Sequence, residues 1–173
     1  MADTEGVASR QLALDALARI DDDGAYANLV LSGVLDRPGP GGAALSTHDK
    51  GFVTDLVYGT VRMQRALDFL VDRFLTSDPP PAARRALRLG AYQLAFRDDL
   101  PDYAVVSATV SASPKRFRGL VNAVLRKVAT ASVDVAYSYK VLAHIVDIGA
   151  AMREMARVVR PGGSVPAEFY NAR

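Results

Sequence analysis

The sequence predicts a mainly α fold, a bundle of about seven helices followed by a short strand–helix–strand appendage. Three observations carry this. Apolar residues recur at spacings of three and four through residues 9–130. The same stretch shows no strand alternation and no βαβ rhythm. After Thr130 the composition turns β-branched and aromatic in Ser132-Val-Asp-Val-Ala-Tyr-Ser-Tyr-Lys-Val-Leu142.

The elements follow in order. Ala13, Ala16, Leu17 and Ile20 line one face of a first helix beginning near Ser9, with residues 1–8 expected to be disordered. Gly24 is placed to end that helix in a left-handed conformation. Leu31, Val34 and Leu35 stripe a second helix from Tyr26 to Leu35. Arg37-Pro-Gly-Pro-Gly-Gly42 is a surface loop. A helix precedes it, so it lacks the strand that a phosphate-cradling loop requires. Ser46 and Asp49 have the spacing of a capping box. Beyond them, residues Asp49–Leu75 read as two helices or one bent helix, with Gly59 marking a break or a close helix contact. The prolines after Asp78 stop one helix and start another, striped by Ala83, Leu87, Gly90, Ala91 and Leu94. Asp102 is expected to cap the next helix, Pro114 to interrupt it, and Phe117–Ala129 to form the last. In the appendage, Ile148–Val159 reads as a helix, Arg160-Pro-Gly-Gly163 as a tight turn, and Ser164–Tyr170 as a second strand that Pro166 confines to an edge.

Composition narrows the function. The 173 residues are 50% hydrophobic and 23% charged, the balance of a chain that folds. There is no cysteine, which excludes a disulfide framework, a thiolate zinc site and a cysteine nucleophile. With only two histidines, no metal site is expected. No apolar run approaches the ~18 residues of a membrane span, and a cytoplasmic protein with no membrane partner is expected. The formal net charge of +2 hides an uneven layout. Arg84, Arg85 and Arg88 lie within five residues, while Asp21, Asp22 and Asp23 form an acidic knot. Between Ser111 and Val128 stand Lys115, Arg116, Arg118, Arg126 and Lys127, with no acid among them. Such a patch can attract a polyanion or be an ordinary solvated helix face.

Four blocks resemble a known family. They are Gly24-Ala-Tyr-Ala-Asn-Leu-Val-Leu31, Asp49-Lys-Gly-Phe-Val-Thr-Asp-Leu-Val-Tyr-Gly-Thr-Val-Arg62, Leu87-Arg-Leu-Gly-Ala-Tyr-Gln-Leu94 and Gly119-Leu-Val-Asn-Ala-Val-Leu-Arg126. With them, residues 9–130 resemble the NusB-like helical domain, and more narrowly the form at the N-terminus of RsmB/Sun-type rRNA cytosine-5 methyltransferases. The resemblance implies an RNA-binding helical domain with structured rRNA as partner, and Arg10 matches the family's basic N-terminus. Val133-Asp-Val-Ala-Tyr-Ser-Tyr-Lys-Val-Leu-Ala-His144 and Met152-Arg-Glu-Met-Ala-Arg-Val-Val-Arg-Pro-Gly-Gly163 resemble the later half of a class I methyltransferase. Residues 131–173 are thus expected to form a partial methyltransferase-like segment, not a complete domain.

The chemistry of that family sets a further limit. Its members, by resemblance, attack cytosine C6 with a cysteine thiolate, which this chain cannot supply. Binding S-adenosylmethionine, the cofactor of the full-length family, needs a glycine-rich turn after a strand, and no such turn occurs here. No cofactor and no catalytic residue are therefore expected in this chain. His48, His144, Asp134 and Glu168 read as structural or solvent residues, and Tyr26, Tyr58 and Tyr92 as core aromatics rather than base-stacking platforms. The expected RNA contacts are Arg10, Arg62, Arg65, Lys115, Arg116, Arg118, Arg126 and Lys127, with Arg62 and Arg65 three apart on one helix face. Two other readings stand beside this one. The chain could be an antitermination-type module that binds a ribosomal or transcription protein, or part of a methyltransferase completed by another chain.

Overall fold

The computed structural model describes residues 3–36, 44–130, 133–135 and 159–164. It divides into two compact units, Met1–Ala129 and Thr130–Arg173. The first is a bundle of seven α-helices: α1 (Asp3–Asp23), α2 (Ala27–Leu35), α3 (Thr47–Arg62), α4 (Gln64–Asp72), α5 (Pro81–Phe96), α6 (Asp102–Ala112) and α7 (Arg118–Ala129). A 3₁₀ turn, Lys115–Phe117, joins α6 to α7.

Local chemistry sets the helix ends. Gly24 takes φ +63° after α1, as its position suggested. The Asp49 N–H donates to Ser46 Oγ at 3.0 Å, which makes Ser46 the side-chain cap of α3. Pro81 opens α5, where the missing N–H costs nothing. Two sequence expectations need correction, and a third is narrowed to one of its alternatives. Helix α1 begins at Asp3 rather than near Ser9, so residues 3–8 are helical. The Arg10 guanidinium stabilises that extension by donating to the Gly6 carbonyl at 2.8 Å. Asp102 is the first residue of α6 rather than its cap, and Pro101 occupies the cap position with no side-chain hydrogen bond. The break between α3 and α4 falls at Met63, and of the two readings of Gly59 the close helix contact is the one that holds.

Helix α5 is the centre of the bundle and packs against α1, α3, α4, α6 and α7. Ala86, Leu87, Leu89 and Ala91 are fully buried and point to different sides, the mark of a helix covered all round. Each buried leucine contributes about 2 kcal/mol of hydrophobic stabilisation. Leu56, Leu67 and Leu125, also fully buried, fill the layer around it. Two glycines allow the close crossings. Gly59 of α3 lies under the ring tip of Tyr92, and Gly90 of α5 lies against Leu125 of α7.

In the second unit, β1 (Val133–Val135) pairs in parallel with β2 (Val159–Ser164). Val133 pairs with Val159 and Val135 with Ser164, so the register shifts between them. Arg160-Pro-Gly-Gly163, expected to be a tight turn, is therefore part of β2. The longer run of β2 opposite β1 absorbs a proline with no N–H to donate and two glycines as a ladder irregularity. The expected helix before Val159 and the strand beyond Ser164 lie outside the described residues.

Candidate nucleic-acid interface

The packing of the bundle places its cations in different surroundings. Arg84, Arg85 and Arg88 stand on α5 facing carboxylates of α1, α4 and the loop after α4. Arg84 bridges to Asp72 and Asp78, and lies 3.5 Å from Asp68. Arg85 Nη1 sits 2.9 Å from Asp22 Oδ1. Arg88 holds Asp68 with two parallel bonds, Nε to Oδ1 at 2.7 Å and Nη2 to Oδ2 at 2.8 Å. The acidic knot after the first helical stretch and the arginine run in the middle of the sequence are thus two halves of one ionic cluster. Side-chain burial raises the worth of such pairs above that of a surface bridge, though Asp72 and Asp78 remain well exposed.

Lys115 and Arg116 form a different set. Pro114 ends α6 and starts the 3₁₀ turn, which holds both side chains out to solvent. The Arg116 guanidinium lies over its neighbour Phe117, 4.5 Å from the ring centroid. Among the described residues no carboxylate forms an ion pair with either. Arg126 and Lys127 are exposed in the last turn of α7, where positive charge also suits the helix dipole. Arg126 Nε donates to Asn122 Oδ1 at 3.1 Å.

Arg118 has a structural function. Its Nη2 donates to the Ser111 carbonyl at 2.6 Å and its Nε to the Ser113 carbonyl at 3.1 Å. These are carbonyls at the end of α6, which need partners once the helix stops. Arg118→Ala is expected to lower stability by about 1–2 kcal/mol, the range for losing a charged donor from backbone acceptors that water partly replaces. Chemical denaturation measures this.

Arg62 and Arg65 line one shallow hollow at the junction of α3 and α4. The break at Met63 separates them, so Arg62 ends one helix and Arg65 stands in the first turn of the next. The expectation of one shared helix face does not hold, although both are exposed.

Arg10 is not at the surface. It is 4% exposed, its Nε donates to Gln93 Oε1 at 2.9 Å, and its guanidinium packs 5.2 Å from the centroid of Phe52. Burial, with Arg97 nearby, pushes its guanidinium down to about 10, which leaves it a cation at neutral pH. Gln93 continues the network. Its Nε2 donates to the Leu89 carbonyl at 2.8 Å and approaches Thr109 Oγ1 at 3.5 Å. Spacing alone does not distinguish this arginine from a surface one, because its position on the helix face is the only signal and Ser9 beside it is also buried.

A second network forms around Tyr92. The phenol donates to Asp55 Oδ1 at 3.0 Å, Arg97 Nη1 donates to Asp55 Oδ2 at 2.6 Å, and Arg97 also holds Asp99 through two bonds of 2.8 and 2.7 Å. The guanidinium of Arg97 holds the Asp99 carboxyl below its usual range, and Asp99 and Asp55 in turn raise the Arg97 guanidinium. Tyr92 is the buried core aromatic that the sequence suggested. Tyr26 and Tyr58 are not, being 77% and 44% exposed. Burial first, and Asp55 second, raise the Tyr92 phenol above its ordinary value. The folded state therefore keeps this proton more tightly than the unfolded chain. The linked stability is present below about pH 10 and is lost as pH rises through the raised value. Tyr92→Phe is expected to cost about 1 kcal/mol at pH 8 and to lose less between pH 8 and pH 11 than the native chain. Urea midpoints at the two pH values test this.

His48 stands exposed in the first turn of α3, consistent with a solvent residue. His144 and Glu168 lie outside the described residues, and Asp134 is the middle residue of β1. Among the described residues no cluster of His, Asp and Glu could hold a metal ion, and no helix is long and apolar enough to cross a membrane.

Comparison with known proteins places this arrangement. Residues 7–130 match the NusB family. The chain is 40% identical over 126 residues to the ribosomal RNA small subunit methyltransferase B of Thermus thermophilus, covering 69% of this chain and 29% of that protein. It is 32% identical over 125 residues to the probable methyltransferase of the same name in Bacillus subtilis, covering 69% of this chain and 27% of that protein. The matched region thus spans less than a third of those relatives. The transcription antitermination protein NusB of Rhodopseudomonas palustris is 38% identical over 90 residues, covering 47% of this chain and 52% of that protein. A solved structure of T. maritima NusB superposes with a TM-score of 0.62 at 19% identity, covering 72% of this chain and 89% of that one, a likeness of fold. With the match spanning all of the helical bundle but the first turn of α1, the chain belongs to the NusB family.

Proposed function

We propose that the helical unit is an RNA-binding module related to the N-terminal region of the small-subunit rRNA methyltransferases. It would act in the cytoplasm on structured rRNA. One observation carries the reading. Lys115 and Arg116 on the 3₁₀ turn and Arg126 and Lys127 at the end of α7 are exposed, and the cations of α5 are held by carboxylates of the same bundle. Exposed cations on a turn and a helix terminus can follow a phosphate backbone without disturbing the core. Arg62 and Arg65 are a second, smaller group of the same kind.

The test is fluorescence anisotropy of a structured small-subunit rRNA fragment titrated at several salt concentrations, with an unrelated hairpin as reference. Replacing Lys115, Arg116, Arg126 and Lys127 together by Ala is expected to weaken binding. It should also reduce the log–log salt slope by about 0.7–0.9 for each phosphate that is no longer neutralised. Unchanged affinity and slope would reject the surface.

A second reading, a protein-interaction module of the antitermination type, is favoured by Tyr26 and Leu29. They stand three residues apart at the start of α2 and are 77% and 67% exposed. Binding insensitive to salt would favour it. For residues 131–173 we infer a methyltransferase-like segment that completes no S-adenosylmethionine site in this chain. The chain carries neither a cysteine for the thiolate chemistry nor a glycine-rich turn for the cofactor. Equilibrium dialysis against S-adenosylmethionine should show no binding, and saturable binding would support an enzyme completed by another chain.

A further inference from the structure

Two threonines of α3 treat their hydroxyls differently. Thr54 Oγ1 donates to the Lys50 carbonyl one turn back at 2.7 Å, the usual solution for a hydroxyl on a helix. Thr60 is 2% exposed, and its Oγ1 is a buried side-chain atom with no hydrogen-bond partner among the described residues. Thr60 lines a small cavity where α1, α3, α4 and α5 meet. Leu17 of α1 and Val61 of α3 line it, together with four polar residues: Asp21 of α1, Gln64 of α4, and Arg85 and Arg88 of α5. The space open to the centre of a water molecule is about 10 Å³.

We propose that this cavity is a binding site for one water molecule, held by the Thr60 hydroxyl and by polar groups of Asp21, Gln64, Arg85 and Arg88. The space suits the ligand, because about 10 Å³ open to a water's centre is what one water-sized sphere needs. The lining suits it too. A water can donate to a carboxylate or amide oxygen and accept from a hydroxyl or guanidinium, which suits a site with both kinds of group. A bundle of this size is expected to hold a few such waters, at about one per 27 residues. The site also has a structural consequence. It ties the end of α3, beside the Met63 break, to the ionic cluster of α1 and α5.

Oxygen-17 relaxation dispersion of solvent water tests the proposal on the intact chain, because it reads whole water molecules and not exchanging hydroxyl protons. Thr60→Val keeps the side-chain shape and removes the hydroxyl. The expected result is one fewer long-lived water than in the native chain, and a folded-to-unfolded ratio lower by about tenfold. Thr60→Ser keeps the hydroxyl and is expected to keep the water. An equal water count in the native and Thr60→Val proteins would overturn the proposal. So would a Thr60→Val protein more stable than the native one, the outcome for a dry and unpartnered hydroxyl. A high-resolution crystal structure of the unaltered protein gives an independent test. A water within hydrogen-bond distance of Thr60 Oγ1 supports the site, and an empty cavity overturns it.

Discussion

Gly59→Ala is expected to lower the stability of the helical unit by about 3 kcal/mol, the upper part of the range for forcing a methyl into a packed core. On an open helix surface the same change would stabilise by about 1 kcal/mol, because alanine is the better helix former. Packing reverses the sign. A Cβ on Gly59 would overlap Cζ, Oη and Cε2 of Tyr92. The ring has little room to yield. Its hydroxyl is held by Asp55 at 3.0 Å, and its face stacks on Phe96 with centroids 5.7 Å apart. Gly51, on the same helix, has nothing within 4 Å of a built Cβ. Gly51→Ala is therefore the control, expected to raise stability by up to about 1 kcal/mol. Denaturant unfolding of the two variants should move the midpoint in opposite directions. Tyr92→Phe should not rescue Gly59→Ala, since the ring carbon Cζ remains. Tyr92→Leu should recover part of the loss, which a double-mutant cycle reads as a coupling between the two sites. Equal effects of the two alanine substitutions would mean that α3 and α5 do not cross as closely as the structure shows.

The same crossing shows what the sequence could and could not convey. Helical periodicity marked the stripe containing Leu87, Gly90 and Ala91, and those residues are buried in α5. Periodicity reports which side of a helix is apolar, so it found the elements and most of the core. It could not show that α5 is enclosed on every side, because that depends on which helices surround it. The sequence leaves Gly59 as a break or a close contact, and only tertiary structure selects the second. Charge was harder still. The acidic knot and the arginine run are each plain in the sequence. Asp22 and Arg85 nevertheless stand 63 residues apart, so their pairing follows from the fold and not from spacing. Asp21 and Asp22 meet Arg85, so the arginine run is matched by carboxylates from a distant part of the chain. The acid-free stretch from Ser111 to Val128 keeps most of its charge exposed for the opposite reason. Arg118 is the cation of that stretch that turns inward, drawn to the carbonyls that Pro114 leaves exposed at the end of α6.

Arg10 provides the sharpest separation between a family resemblance and a physical role. Arg10→Ala is expected to lower stability by about 2–3 kcal/mol, the loss of a charge-assisted hydrogen bond in a desolvated site. Gln93 would lose its donor to Oε1 and the Gly6 carbonyl its tie to the guanidinium. The first turns of α1 should loosen with it, seen as faster amide exchange ahead of Ser9. Arg10→Lys should recover little. An ammonium lacks the planar fork that reaches Gln93 and Gly6 together while lying over Phe52. At a temperature where the variant stays folded, its RNA affinity and salt slope should match those of the native chain, because a buried cation releases no counterion from a phosphate backbone. The four-site alanine variant of Lys115, Arg116, Arg126 and Lys127 should show the converse, a flatter salt slope with a smaller loss of stability than Arg10→Ala. If Arg10→Ala instead flattened the slope without destabilising the bundle, the guanidinium would have to leave Gln93 and reach the RNA. The start of α1 would then open on binding, and the interface would extend from the turn before α7 to the first helix.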